Sequence, residues 1–197
     1  MRQLKYMKQL EPFRKVPFFT TKEAEKQGIP RHALAYLKKK GDLKRISPGI
    51  YRFYEYEPEV EFQWENLALI ASSIPESIIC LISALVFYGL TDQVMREIWL
   101  VVPHKAHPPK RPNTRIVRMR NTDLGKTSIT LGEYRVQIFD RERSIIDAFR
   151  YLSKEIAIKA LQRYFQSKEA KPDPKKLGAY AKKLRVNITS YILSCTT

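Results

Sequence analysis

Cysteine is nearly absent from this chain: two in 197 residues, Cys80 and Cys195, 115 positions apart and with no C-x-x-C pair. That excludes a disulfide framework and a zinc knuckle. Histidine is almost as scarce; His104 and His107 lie three apart with no acidic or cysteine neighbour to complete a metal site. No Gly-rich phosphate loop, no H-x-x-x-H and no Gly-Ser with a following D-x-D occurs, so the common nucleotide-handling and metallohydrolase signatures are missing. The longest apolar run, residues 78–90, contains Ser83 and Tyr88 and is too short to span a bilayer. The opening MRQLKYMKQLEPF has too many charges for a signal peptide. The expectation is a cytoplasmic protein that engages no membrane and needs no metal or cofactor.

Acidic residues are outnumbered as well, 20 Asp/Glu against 36 Lys/Arg, for a formal net charge of +16. That surplus attracts phosphate polyanions, so nucleic acid is the first partner to consider. The distribution is uneven. Residues 1–53 hold 14 Lys/Arg and 4 Asp/Glu, a surplus of 10, which leaves 6 for the other 144 residues.

Within that basic segment, FTTKEAEKQGIPRHALAYLKKKGDLKRISPGIYRF (residues 19–53) has the outline of a winged helix-turn-helix. A support helix over residues 3–10 precedes it, with Leu4, Met7 and Leu10 at helical spacing and Pro12 closing it. Thr20 with Glu23 predicts a capping box opening a helix over 22–27. Gly28-Ile29-Pro30 supplies the turn, with Pro30 at the start of a second helix that runs to about Lys40. On that helix Ala33, Leu34 and Leu37 share one face, while His32, Ala35, Tyr36 and Lys39 lie on the other, flanked by Arg31, Lys38 and Lys40. A recognition helix is built this way, one stripe anchoring and the other reaching an anion. Leu43–Ile46 and Ile50–Phe53, joined by Ser47-Pro48-Gly49, make the wing. The candidate DNA-binding residues are Thr21, Arg31, His32, Tyr36, Lys38, Lys39, Lys40, Lys44, Arg45 and Arg52, with the wing cations set against phosphate.

Residues 54–61, YEYEPEVE, hold four acids in eight positions and mark a composition shift. The expected organisation is therefore a winged helix-turn-helix over 1–54, an acidic linker over 55–61 and an α/β domain over 62–197. In that second part a helix is predicted over 63–72 with a stripe at Trp64, Leu67, Ala68 and Ala71, and residues 78–90 read as one buried central helix. Residues 96–103, 115–120 and 134–140 read as three strands. Asp140 is placed to cap a helix over 141–150, another follows over 155–165, and KKLGAYAKKLR (175–185) is amphipathic. The fold class is α+β, a winged helix followed by a mixed domain with a small sheet and several helices.

A second basic surface is suggested by Lys105, Lys110 and Arg111 in the loop HKAHPPKRPNT, by Arg118 and Arg120 beyond it, and by Lys175, Lys176, Lys182 and Lys183. Glu142, Arg143 and Asp147 are the best candidates for chemistry. Arg143 and Asp147 stand i, i+4 on one helix, which favours a cap and a buried ion pair over catalysis, since no histidine accompanies them. The chain is expected not to be an enzyme.

These segments together resemble the AbiEi family of antitoxins, the regulator half of type IV AbiE toxin–antitoxin systems. The resemblance rests on the residue 19–53 stretch, on ICLISALVFYGLTD, IWLVVP, VQIFDRERSIIDAFR and the closing KKLGAYAKKLRV, and covers residues 16–193. Glu142-Arg143-Ser144 stands where the family commonly has Glu-Arg-Thr, which keeps the hydroxyl. The resemblance implies a bacterial abortive-infection and phage-defence protein. It would bind double-stranded DNA at repeats in its own promoter as a transcriptional repressor and counter a nucleotidyltransferase-like toxin without a stable complex. A monomer or weak dimer, cooperative on DNA, fits that role. The other reading is a stand-alone winged-helix regulator whose C-terminal domain dimerises or senses a ligand.

Overall fold

The structure, a computed structural model, describes residues 2–57, 60–167 and 170–196. Two positions of the acidic stretch, Pro58 and Glu59, and two of the charged connector before residue 175, Lys168 and Glu169, lie outside them. The described chain is α+β and divides into two compact units, one of residues 1–73 with Thr130–Arg135, the other of residues 74–129 with 136–197.

The first unit opens with α1 (Arg2–Leu10) and a single 3-10 turn at Glu11–Phe13. A short strand β1 (Phe19–Thr20) leads into α2 (Thr21–Lys26), and the predicted capping box is formed: Thr20 N–H donates to Glu23 Oε2 at 2.7 Å and Glu23 N–H to Thr20 Oγ1 at 3.2 Å. Helix α3 spans Arg31–Lys40, with Pro30 as its N-cap and not its first residue. Strands β2 (Leu43–Ser47) and β3 (Ile50–Phe53) pair antiparallel, and β1 joins β3 to give the order β1-β3-β2. Gly49 turns the hairpin at φ +75°, a conformation that costs glycine least. Leu10, Phe19, Ala24, Ile29, Leu34, Leu37, Leu43 and Phe53 form the core of these elements, and the Phe13 and Phe19 rings stack at 4.7 Å.

The first unit does not end at the acidic stretch. Helix α4 (Phe62–Ser72) belongs to it, buried at Glu65 and from Leu67 through Ala71, wider than the predicted stripe and with Trp64 only partly covered. The reason is electrostatic as well as apolar: buried Arg52 of β3 pairs with buried Glu65 of α4. Tyr56, under Arg52 at 5.2 Å, donates its hydroxyl to Glu133 at 2.5 Å. Composition marks solvation, whereas packing marks the unit.

The second unit is built on a five-stranded sheet ordered β6-β5-β4-β8-β7, where three strands had been expected. Residues 78–90 are not one helix. Ile78–Ile79 form β4, antiparallel to β5 (Ile98–Pro103) and parallel to β8 (Tyr134–Phe139), and α5 begins only at Leu81 and runs to Phe87. The β-branched pair takes the central strand position that an all-apolar run permits equally with helix. Cys80 N–H donates to Trp99 O at 3.1 Å and Ser83 Oγ accepts from Trp99 N–H at 2.9 Å, which pins the strand-to-helix switch. Strand β6 (Thr114–Met119) lies parallel to β5 at one edge, and β7 (Lys126–Leu131) occupies the other. Beyond the sheet come α6 (Arg141–Tyr151), α7 (Lys154–Gln166), α8 (Pro174–Leu184) and an unanticipated α9 (Thr189–Thr196). Leu85, Ile145, Ile146, Leu161, Tyr164, Leu177 and Ile188 form the core among α5 to α9.

Candidate nucleic-acid interface

The two faces of α3 separate as the spacing requires. Ala33, Leu34 and Leu37 are buried, and Arg31, His32, Ala35, Tyr36, Lys38, Lys39 and Lys40 are exposed. Tyr36 is 46% exposed on that face. Two of the cations carry surface ion pairs, Arg31 to Glu25 at 2.7 Å and Lys40 to Asp42 at 3.3 Å. On the wing, Lys44 and Arg45 are exposed in β2. The wing turn is tied to the start of α2, where Thr21 donates from both N–H (2.9 Å) and Oγ1 (3.3 Å) to Gly49 O. Thr21 therefore fixes the angle between wing and helix rather than offering a free hydroxyl.

Arg52 does not stand where the sequence put it. Its neighbour across the hairpin is Lys44, but its side chain turns inward to Glu65 and is buried, so it cannot meet phosphate. The alternation along the strand allowed either face; the carboxylate on α4 decided it. Tyr134 lies in the same unit with its ring stacked on Phe18 at 6.0 Å, and burial pushes its phenol up to about 12. Sequence reasoning missed Glu65 because a glutamate in the first turn of a helix ordinarily faces water.

The cations proposed for a second surface are not one group. Lys105, Lys110, Arg118 and Arg120 are exposed and Arg111 is half-buried, where burial lowers its pKa. Lys175, Lys182 and Lys183 are exposed on α8. Lys176 is not available: its ammonium sits 3.0 Å from Asp140 and 2.9 Å from Glu142. Partial burial pulls that ammonium down, but the hydrogen bonds to the two carboxylates outweigh it and raise its pKa.

Around Lys176 lies a polar network that the sequence did not disclose. Asp140 accepts from Arg143 N–H at 2.8 Å, capping α6 as predicted, and from Tyr180 Oη at 3.0 Å. Buried Glu142 accepts from Tyr164 Oη at 2.6 Å, and Tyr164 Oη accepts in turn from Asp173 N–H at 2.6 Å. Burial works against the Glu142 carboxylate, yet Tyr164 and Lys176 together hold its pKa below the ordinary glutamate value. One turn further on, Arg143 and Asp147 pair at 2.7 Å with both side chains fully buried. Arg143 also donates to Leu124 O (2.8 Å) and Asn121 O (3.0 Å), and Asp147 takes Arg150 at 2.8 Å. Gly125, at φ +74°, lets that loop approach: a Cβ there would stand 2.6 Å from Arg143 Cβ. Each of the Asp140, Glu142 and Asp147 carboxylates thus has a partner within the fold.

Among the described residues no cluster of three or more His, Cys, Asp and Glu side chains is placed to hold a metal ion. Among the same residues no helix is long and apolar enough to cross a membrane.

Residues 7–54, the segment containing α2, the turn, α3 and the wing, match the family model described as transcriptional regulator, AbiEi antitoxin. Over this segment the chain is similar to AbiEi-family transcriptional regulators. No curated protein matches the chain. The match ends at Tyr54, so the likeness is confined to α1 through the wing.

Proposed function

We propose that this protein is the antitoxin of a type IV toxin–antitoxin pair and represses its own promoter. The observation that carries the DNA-binding part is the exposed face of α3, with His32, Tyr36, Lys38, Lys39 and Lys40 opposite its buried anchor and with Lys44 and Arg45 exposed on the wing. Arg31 flanks that face. Double-stranded DNA at repeats upstream of the reading frame is the ligand, and a monomer or weak dimer binds them cooperatively. The reader lies within residues 1–54, and residues beyond the acidic stretch counter a nucleotidyltransferase-like toxin in the cytoplasm without a stable complex. The pairing of Glu142 with Tyr164 and Lys176, and of Asp147 with Arg143, fits a structural role for those two carboxylates.

Titrating the full chain with upstream DNA at two salt concentrations tests the proposal. Each phosphate contact contributes about −0.9 to the slope of log affinity against log salt. The double variant Lys39→Ala, Arg45→Ala is expected to flatten that slope by about 2. Growth in the presence of the adjacent toxin gene should survive the same double change. Equal affinity of the unaltered protein for upstream and random DNA would refute specific repression.

A further inference from the structure

The exposed face of α3 changes chemistry along its length. Its first two turns present Arg31, His32, Ala35 and Tyr36, and its cations Lys38, Lys39 and Lys40 come only in the last turn. A helix in the major groove reads base edges mainly with its N-terminal residues, while cations further along meet phosphate. The side chains that commonly identify bases there are Arg or Lys with two hydrogen bonds to guanine, Asn or Gln with two to adenine, and Glu or Asp accepting from the cytosine amino group. The first two turns, RHALAYL, contain no Asn, Gln, Asp or Glu. Their one arginine is drawn sideways to Glu25, 2.7 Å away. Toward the groove that face then offers the polar tips of His32 and Tyr36 and, between them, one apolar group, the methyl of Ala35. Ala35 is exposed and lies outside the buried stripe of Ala33, Leu34 and Leu37.

A methyl group is the apolar complement of one feature in the major groove, the 5-methyl of thymine. We propose that this chain recognises its operator through thymine 5-methyl groups contacted by Ala35, with Glu25 keeping Arg31 away from guanine. The inference rests on the DNA-binding reading above and specifies what that reading leaves open, the chemistry of the bases read.

The test uses the full chain and duplex DNA from upstream of its reading frame, synthesised either with thymine or with deoxyuridine at every thymine position. A random duplex made both ways serves as reference. Fluorescence anisotropy at one fixed salt concentration is expected to show affinity falling about fourfold for each contacted methyl removed from the operator. The random duplex should bind equally in both forms. Ala35→Gly should bind the thymine operator more weakly and lose nothing further with deoxyuridine. Because glycine also loosens a helix, the thymine-to-deoxyuridine comparison with the unaltered protein stands independently of the variant. Equal affinity for the two operators, with random DNA still weaker, would overturn the inference and leave the DNA-binding proposal intact. Equal affinity for operator and random DNA would overturn both. A deoxyuridine loss that persists undiminished in Ala35→Gly would remove Ala35 as the reader.

Discussion

Helices α3 and α8 are made from similar parts. α3 carries Arg31, Lys38, Lys39 and Lys40 and anchors through Ala33, Leu34 and Leu37; α8 carries Lys175, Lys176, Lys182 and Lys183 and anchors through Leu177 and Ala181. Both end on a left-handed residue, Gly41 and Arg185. They differ in what faces them. The ion pairs of α3 lie on its exposed surface, whereas α8 delivers Lys176 to Asp140 and Glu142 at the start of α6. A basic amphipathic helix thus keeps its cations at the surface or is fastened by one of them according to whether its packed neighbours hold covered carboxylates in reach. A count of lysines cannot distinguish the two.

The comparison can be broken from its buried end first. Asp147→Ala leaves the Arg143 guanidinium buried without its carboxylate and should destabilise by about 3–5 kcal/mol, read from urea unfolding. An Asp147→Ala protein as stable as the unaltered one would mean that Arg143 escapes to water. Glu65→Ala strands Arg52 under the wing and should cost about 3 kcal/mol. Its DNA affinity should fall as well, because the wing loses its support; a change in neither would separate α4 from the winged helix.

Smaller effects sharpen the helix comparison itself. Lys176→Ala should cost about 1 kcal/mol, modest because the ammonium is more than a third exposed and screened, and should leave DNA affinity unchanged. Lys39→Ala should do the reverse. The same fastener has a pH signature. Glu142 has its folded pKa held below its unfolded value, so its contribution is complete above the ordinary glutamate range near about 4.3 and is lost as pH falls through the folded value. The urea midpoint of the unaltered protein should therefore drop, as pH falls below the ordinary glutamate range, by more than that of Glu142→Gln. Lys183→Ala, exposed on the same helix, should stay within about 0.5 kcal/mol.

Much of the first unit was legible because its signals are local. The Thr20–Glu23 capping box, the face of Ala33, Leu34 and Leu37, and the Pro48-Gly49 turn each involve residues a few positions apart, where spacing alone fixes who meets whom. The second unit was legible in its helix starts for the same reason, Asp140 capping α6 and Arg143 meeting Asp147 one turn on. Residues 78–90 were misread because an apolar run has no periodicity to separate strand from helix, and the strand residues that pair with Ile78 lie 23 and 59 positions downstream. β7 was missed although Thr127, Ile129 and Leu131 alternate before Gly132, a signal weakened by its polar partners.

The winged helix, its charge and the cap of α6 follow from local order along the chain, since short-range sterics, hydrogen bonding and helical periodicity require no distant partner. That Arg52 belongs to Glu65 and Lys176 to Asp140 and Glu142, and that β4 is a strand, follows instead from packing. A long cation can lie on a surface or turn into the fold with equal local ease. Which it does depends on a carboxylate brought near by packing, a fact about distance in space that spacing along the chain does not encode.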